Sequence, residues 1–189
     1  MAAAVRVEAE GCSTKASLGA GSFVADGIVV TVAHVVAGAD SVHVVLPDGS
    51  RSRAIVVAID RVKDLALLAV TADIVPLPRD SMAPGTEGAF VVYRGDTAVV
   101  QQFEAISFVD INAPTIDQDG SALRRGYQLE AVVAKGDSGS VLVTDGVATA
   151  VLFARSTSAG GTAWAVDLGE ADPLFANATD TSVDVGECT

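Results

Sequence analysis

The chain has 189 residues and a formal net charge of −12, and half of its residues are hydrophobic while only 5% are aromatic. That length supports one large or two small compact units. Their core must come from Val, Ala, Leu and Ile, which favours strands over helices and makes no disulfide scaffold necessary for folding. The acidic balance repels polyanions over roughly 8 Å at physiological salt and excludes nucleic acid as a natural partner.

No apolar run reaches the ~18 residues of a membrane-spanning helix, and Met1-Ala2-Ala3-Ala4 lacks the basic start and long apolar middle of a signal peptide. Cys12 and Cys188 lie near opposite ends, too far apart for a CxxC redox motif. They are either buried thiols or a bridge tying the ends together. The polar, glycine-containing surroundings Gly11-Cys12-Ser13 and Gly186-Glu187-Cys188 favour the bridge. Closing so long a loop would restrict the unfolded chain by about 4 to 5 kcal/mol, and implies an oxidising compartment with any export signal or anchor upstream.

An apolar run ends at Thr31-Val32-Ala33-His34, and residues 33–37 read as a helical turn. Val42, Val44 and Leu46 alternate with Ser41, His43 and Val45, then Pro47-Asp48-Gly49-Ser50 makes a turn into a second strand over 54–59. Residues 65–70 are apolar on both faces, as in a fully buried strand. Pro76, Pro78 and Pro84 with Gly85 break the stretch 75–87, where the joint between two β units falls. This divides the chain into 1–86, an N-terminal extension and first unit carrying His34 and Asp64, and 87–189, a second unit with Ser138 and a C-terminal tail. Further strands are expected over 89–93, 98–111 (in one or two pieces), 127–133, 140–144, 147–153 and 162–166, with Asp145-Gly146 as a hairpin turn. The polar stretch 112–126 reads as a long surface loop, its Arg124-Arg125 pair as solvated charges or, less simply, a processing site. A short helix is expected over 173–178, capped by Asp172 with proline at its first position.

The chemistry rests on Gly136-Asp137-Ser138-Gly139. A hydroxyl is a poor nucleophile until a base takes its proton, and the chain has only two histidines. His34 is the natural base; His43 sits in an alternating strand at a solvent-facing or structural position. Asp64, directly before Leu65-Ala66-Leu67-Leu68, supplies a carboxylate to orient the imidazole, with Asp60 as its rival. Asp137 is better placed to shape the serine loop than to react. Asn177-Ala178-Thr179 fits a glycosylation acceptor, a weak pattern. Isolated histidines and distant cysteines make no zinc set, so no metal and no cofactor is expected.

Thr31-Val32-Ala33-His34, Asp64-Leu65-Ala66-Leu67-Leu68 and Gly136-Asp137-Ser138-Gly139 resemble, in this order, the three signature segments of the chymotrypsin/trypsin-like serine peptidases. Gly19-Ala20-Gly21-Ser22-Phe23-Val24 and His34-Val35-Val36 resemble the bacterial high-temperature-requirement branch, Val35 standing where animal enzymes carry a cysteine. The likeness runs from Gly19 to Val166. The terminal cysteines, with no recognisable PDZ-like segment after Val166, resemble the protease domain of the actinobacterial membrane-anchored periplasmic acid-resistance proteases.

The resemblance implies an all-β fold of two six-stranded antiparallel β-barrels, with the active site in the cleft between them. His34 and Asp64 would come from the first barrel, Ser138 from the second, and the backbone N–H groups of Gly136 and Ser138 would form the oxyanion hole. Phe153-Ala154-Arg155 would form the substrate-contacting strand, and Val132, Val133 and Ala163 would line the pocket. No acidic residue stands just before Gly136, so an apolar or small P1 residue is expected. Ser140 replaces the family's second glycine after the serine, a change small enough to fit. The implied function is a serine endopeptidase acting on protein or peptide substrates, stress-related or processing, and located outside the cytoplasm, periplasmic or secreted. Membrane contact would come only through an upstream anchor. The alternative is a pseudoprotease or sensor domain that binds extended peptides without efficient turnover.

Overall fold

A computed structural model describes residues 2–11, 15–155 and 161–188, with Arg155 described by its backbone alone. Among the described residues, twelve strands form two barrels of six. The first holds β1 (Ala4–Glu10), β2 (Ser17–Ala25), β3 (Ile28–Thr31), β4 (Ser41–Val45), β5 (Arg51–Asp60) and β6 (Leu65–Val70), in the order β1-β2-β3-β6-β5-β4, closed by β4 pairing with β1. The second holds β7 (Glu87–Arg94), β8 (Thr97–Pro114), β9 (Ser121–Ala131), β10 (Val141–Thr144), β11 (Val147–Arg155) and β12 (Thr162–Asp167). Its order is β10-β11-β12-β9-β8-β7, closed by the single pair Val143 and Ala89. Every strand pairing is antiparallel, as the two-barrel expectation requires. Among the described residues, helix is confined to α1 (Ala33–Val36), a 3-10 turn (Leu168–Ala171) and α2 (Asp172–Asn177). Among the described residues no helix is long and apolar enough to cross a membrane.

Strand chemistry accounts for most of this. In β6, Leu65, Leu67 and Leu68 are all fully buried, because the strand is covered both by the barrel interior and by neighbouring structure. The β4–β5 turn is held by Asp48, whose Oδ1 accepts from Ser50 N at 2.8 Å and Ser50 Oγ at 2.6 Å. β1, absent from the sequence expectations, alternates from Val5 onward: Val5, Val7 and Ala9 are buried while Arg6, Glu8 and Glu10 face outward. The valine-rich core of the first barrel continues through Ile111, Val141, Val151, Phe153 and Val166 into the second, so the barrels share apolar contact along their seam.

Three expectations are corrected. Residues 112–126 are not a surface loop: β8 runs unbroken for 18 residues to Pro114 and pairs with β9 down to Ser121, leaving only 115–120 as the connection. Half of this hairpin faces solvent, so its alternating polar residues mimic loop composition. Arg124 is not solvated but 2% exposed, its guanidinium donating to Val62 O and Pro114 O. Finally, Asp172 does not cap α2 with its side chain; capping occurs one turn earlier, where Asp167 accepts from Gly169 N at 2.8 Å.

Candidate active site

His34 lies in α1, immediately after β3 and its connecting Val32. Its backbone N–H donates to Asp64 Oδ1 at 2.8 Å, and its ring Nδ1 lies 2.8 Å from Asp64 Oδ2. One carboxylate therefore holds both the backbone and the ring of the histidine, leaving Nε2 directed away from it. The ring stays partly accessible, at 33% side-chain exposure, while the Asp64 side chain is 3% exposed.

Asp64 ends the turn between β5 and β6 in the left-handed region, at φ +61, an uncommon conformation for a residue with a Cβ. The rival Asp60 has a different task. Its Oδ1 accepts from Val62 N at 2.9 Å and Lys63 N at 2.8 Å, shaping the turn that presents Asp64. His43 stays in β4, half-buried, its Nδ1 without a hydrogen-bond partner among the described residues.

Ser138 sits in the turn before β10. The buried Asp137 closes that turn by accepting from Ala134 N at 2.7 Å, and its carboxylate is held by both Nη atoms of Arg94, with Nη2 to Oδ2 at 3.0 Å. The hydrogen bond to Asp137 raises the Arg94 pKa above its ordinary value, against the opposing effect of burial. Gly136 has φ +96 and open space where a Cβ would lie, so backbone conformation and not crowding requires glycine there. Ser140, in place of a second glycine, is buried and donates from Oγ to Val91 O at 2.8 Å.

The two barrels meet at β2. Ala20 N donates to Ser138 O at 2.8 Å, and Ala20 O accepts from Thr31 Oγ1 at 2.7 Å, three residues before His34. The serine turn and the histidine segment are thus stitched to the same residue. Gly139 explains the closeness: with φ +87, a Cβ there would lie 2.1 Å from Ala20 O. Ser138 Oγ makes no hydrogen bond among the described residues; contacts of this kind often tighten only in the substrate complex.

The expected pocket residues divide. Phe153 and Ala154 line a groove of about 480 Å³ with Val109 to Pro114 of β8, Gln128 and Trp164. Val132, 72% exposed, lines a separate groove of about 420 Å³ with Glu87, Glu104 and Glu130. Val133 packs against the core of the second barrel, and Ala163 is fully buried in β12, lining neither groove. The Arg155 side chain and Cys12 lie outside the described residues. The sequence reading missed the contribution of β8, because it took the end of that strand for a loop. It also missed Arg124, whose Nη1 lies 3.6 Å from Asp64 Oδ2.

Residues 19–151 match the family of trypsin-like peptidase domains. The chain is 36% identical over 148 residues to the mitochondrial serine protease HTRA2 of Bos taurus, a match covering 75% of the chain. It spans about a third of that relative's length, 32%. Among solved structures, the Rv3671c protease of M. tuberculosis in its active form superposes with a TM-score of 0.88 at 26% identity, over 100% of this chain and 86% of that one. The inactive form of the same protease gives 0.77 at 25% identity, over 92% and 87%. The HtrA-type protease AlgW with tripeptide shares the fold, with a TM-score of 0.79 at 23% identity over 93% of this chain and 59% of that one. With the two barrels, the His34–Asp64 pair and a family match over most of its length, the chain belongs to the trypsin-like peptidase domains.

Proposed function

We propose that the chain is a serine endopeptidase in which Ser138 attacks the scissile carbonyl, His34 takes its proton and returns it to the leaving amine, and Asp64 holds the imidazole in the useful tautomer. The backbone N–H groups of Gly136 and Ser138 serve as the oxyanion hole. The observation that carries this reading is the double grip of Asp64 on His34, 2.8 Å to the backbone nitrogen and 2.8 Å to Nδ1. A purely structural histidine needs no such fixing of the ring. The Gly136 conformation supports the second half of the site, since φ +96 turns the peptide in a way that L-residues with side chains resist.

A fluorophosphonate probe should label the wild type and leave Ser138→Ala unlabelled, and cleavage of a peptide library should disappear with the label. Labelling that survives the substitution would remove the assignment. Peptide binding without any cleavage would instead favour the non-catalytic sensor reading.

The native substrates are unfolded or extended segments of proteins, entering the groove along Phe153 and Ala154 with a small or apolar P1 side chain. The protein works outside the cytoplasm, in stress-related or processing proteolysis, with any membrane contact made through an anchor upstream of this chain. A Cys12–Cys188 bridge fits that setting. Support for it comes from the packing of the ends: Asp40 N donates to Glu10 O at 2.8 Å, Gly38 N to Val185 O at 3.2 Å, and Cys188 Sγ lies 3.6 Å from Gly38 O.

A further inference from the structure

Among the described residues Arg124 is the largest of the fully buried side chains, and the proposed reaction gives it no task. Removing a guanidinium from water is costly, and an apolar side chain of similar volume is often as stabilising. Its surroundings are specific. Nε donates to Val62 O at 3.0 Å, in the turn that leads to Asp64, and Nη2 donates to Pro114 O at 2.9 Å, at the end of β8. Nη1 lies 3.6 Å from Asp64 Oδ2, the same oxygen that meets His34 Nδ1, and the guanidinium carbon lies 4.9 Å from the centre of the Phe153 ring. Pro114 and Phe153 both line the groove beside the expected substrate strand. Burial pushes the Arg124 pKa down, and Asp64 and then Asp60 pull it back.

The other charges near this turn are committed elsewhere. Arg61 pairs with Asp117 of the β8–β9 connection and donates to Val185 O, while Lys63 pairs with Glu170 of the 3-10 turn and donates to Leu123 O. Asp60 is tied to the backbone of its own turn. Among the described residues, Arg124 and His34 are the groups whose ion pairs reach Asp64.

We infer that Arg124 is a positioning residue for the reaction: a cation from the second barrel that fixes Asp64 Oδ2 against His34 and links the walls of the substrate groove to the triad. This rests on the catalytic reading of His34, Asp64 and Ser138. It also makes the triad depend on barrel docking at a second point, because Asp64 belongs to the first barrel and Arg124 to the second.

The sign of the electrostatic effect follows from the charges. With Arg124 present, the buried Asp64 carboxylate is balanced from two sides. Without it, the imidazolium form of His34 is left as the balancing charge. In Arg124→Met and Arg124→Gln, kcat should fall on the order of tenfold to a hundredfold with KM little changed. The acid limb of kcat/KM should move to higher pH. Arg124→Lys keeps the charge and loses the fork, so its acid limb should stay at the wild-type position while part of kcat returns. Because the effect runs through Asp64, the loss caused by Arg124→Met should largely vanish in an Asp64→Asn background.

A folded Arg124→Met or Arg124→Gln with wild-type kcat, or with reduced kcat and an unmoved acid limb, overturns the inference, as does full additivity with Asp64→Asn. If the single Met and Gln variants do not fold, Asp64→Asn/Arg124→Met decides: recovery of folding is expected, since no unbalanced carboxylate remains, and its failure would assign Arg124 a purely architectural role. Ser138→Ala separates the two levels. If it stays active, the catalytic reading falls and takes this inference with it; if it is inactive while the Arg124 variants behave as wild type, this inference falls alone.

Discussion

Asp64 carries an uncommon backbone conformation at the point where its carboxylate must face both the nitrogen and the ring of His34. The strain persists because the surroundings over-determine it: Asp60 fixes the preceding turn and the contacts to His34 hold the side chain. Asp64→Asn keeps the shape but can present an amide N–H to Nδ1, favouring the wrong tautomer. It should lower kcat by about 10³- to 10⁴-fold while leaving the fold intact, as checked by steady-state kinetics beside thermal unfolding. Gly136→Ala tests the other half of the site. A Cβ there meets nothing, so the cost is the φ of +96 alone, about 1–2 kcal/mol if the backbone holds. If the backbone relaxes instead, one oxyanion donor is lost, and labelling by the fluorophosphonate should slow on the order of a hundredfold with little change in melting temperature. Ser138, His34 and Asp64 stand out in the sequence as candidates because each lies in a short segment whose neighbours are fixed by local geometry. Arg124 does not, since its burial depends on a carboxylate 60 positions away in another barrel.

The strands separate the legible from the illegible in the same way. β6 announces itself, because Leu65-Ala66-Leu67-Leu68 has no polar face to confuse the reading. Leu67→Ala should cost about 2–5 kcal/mol in urea unfolding, since the side chain is fully buried and a strand paired on both edges leaves little freedom to collapse. A cost under 1 kcal/mol would mean that β6 packs more loosely than its burial shows. The far half of β8–β9 is harder to see. Ile111 and Ala113 point into the shared core while Asn112 and Pro114 face out, so the average composition is that of a loop although the period is that of a strand. Strand pairing over so long a hairpin supplies the order that composition did not advertise.

For the molecule as a whole, both tyrosines report on packing. Burial pushes Tyr93 up to about 12 and Tyr127 up to about 12. Tyr127 sits within hydrogen-bond distance of Met82 O at 2.9 Å and Asp167 Oδ2 at 3.0 Å, so its neutral form is held in place. A folded value above the ordinary phenol range means that the stabilisation is complete below about 10 and is lost as pH rises through about 12. Stability should therefore decline across that window, with phenolate absorbance appearing together with loss of structure. Phenolate that appears near 10 in a fully folded protein would contradict the burial of Tyr127 and the partial burial of Tyr93. The proposed bridge between the chain ends makes a separate claim at this scale. Reduction should lower the melting temperature, and Cys188→Ser should match the reduced wild type.

Composition, alternation and three short segments determined that this chain is built of strands, and where and in what order the proposed catalytic groups stand. Those features are local, written in the side-chain period and in the neighbours of each reactive residue. The tertiary structure decided what distant residues do to one another. It set the meeting of the Ser138 turn and Thr31 on Ala20, the extension of β8 along the groove, and the insertion of Arg124 beside Asp64. Electrostatic and packing energies depend on separation in space, and no period along the chain encodes which barrel surface will face which.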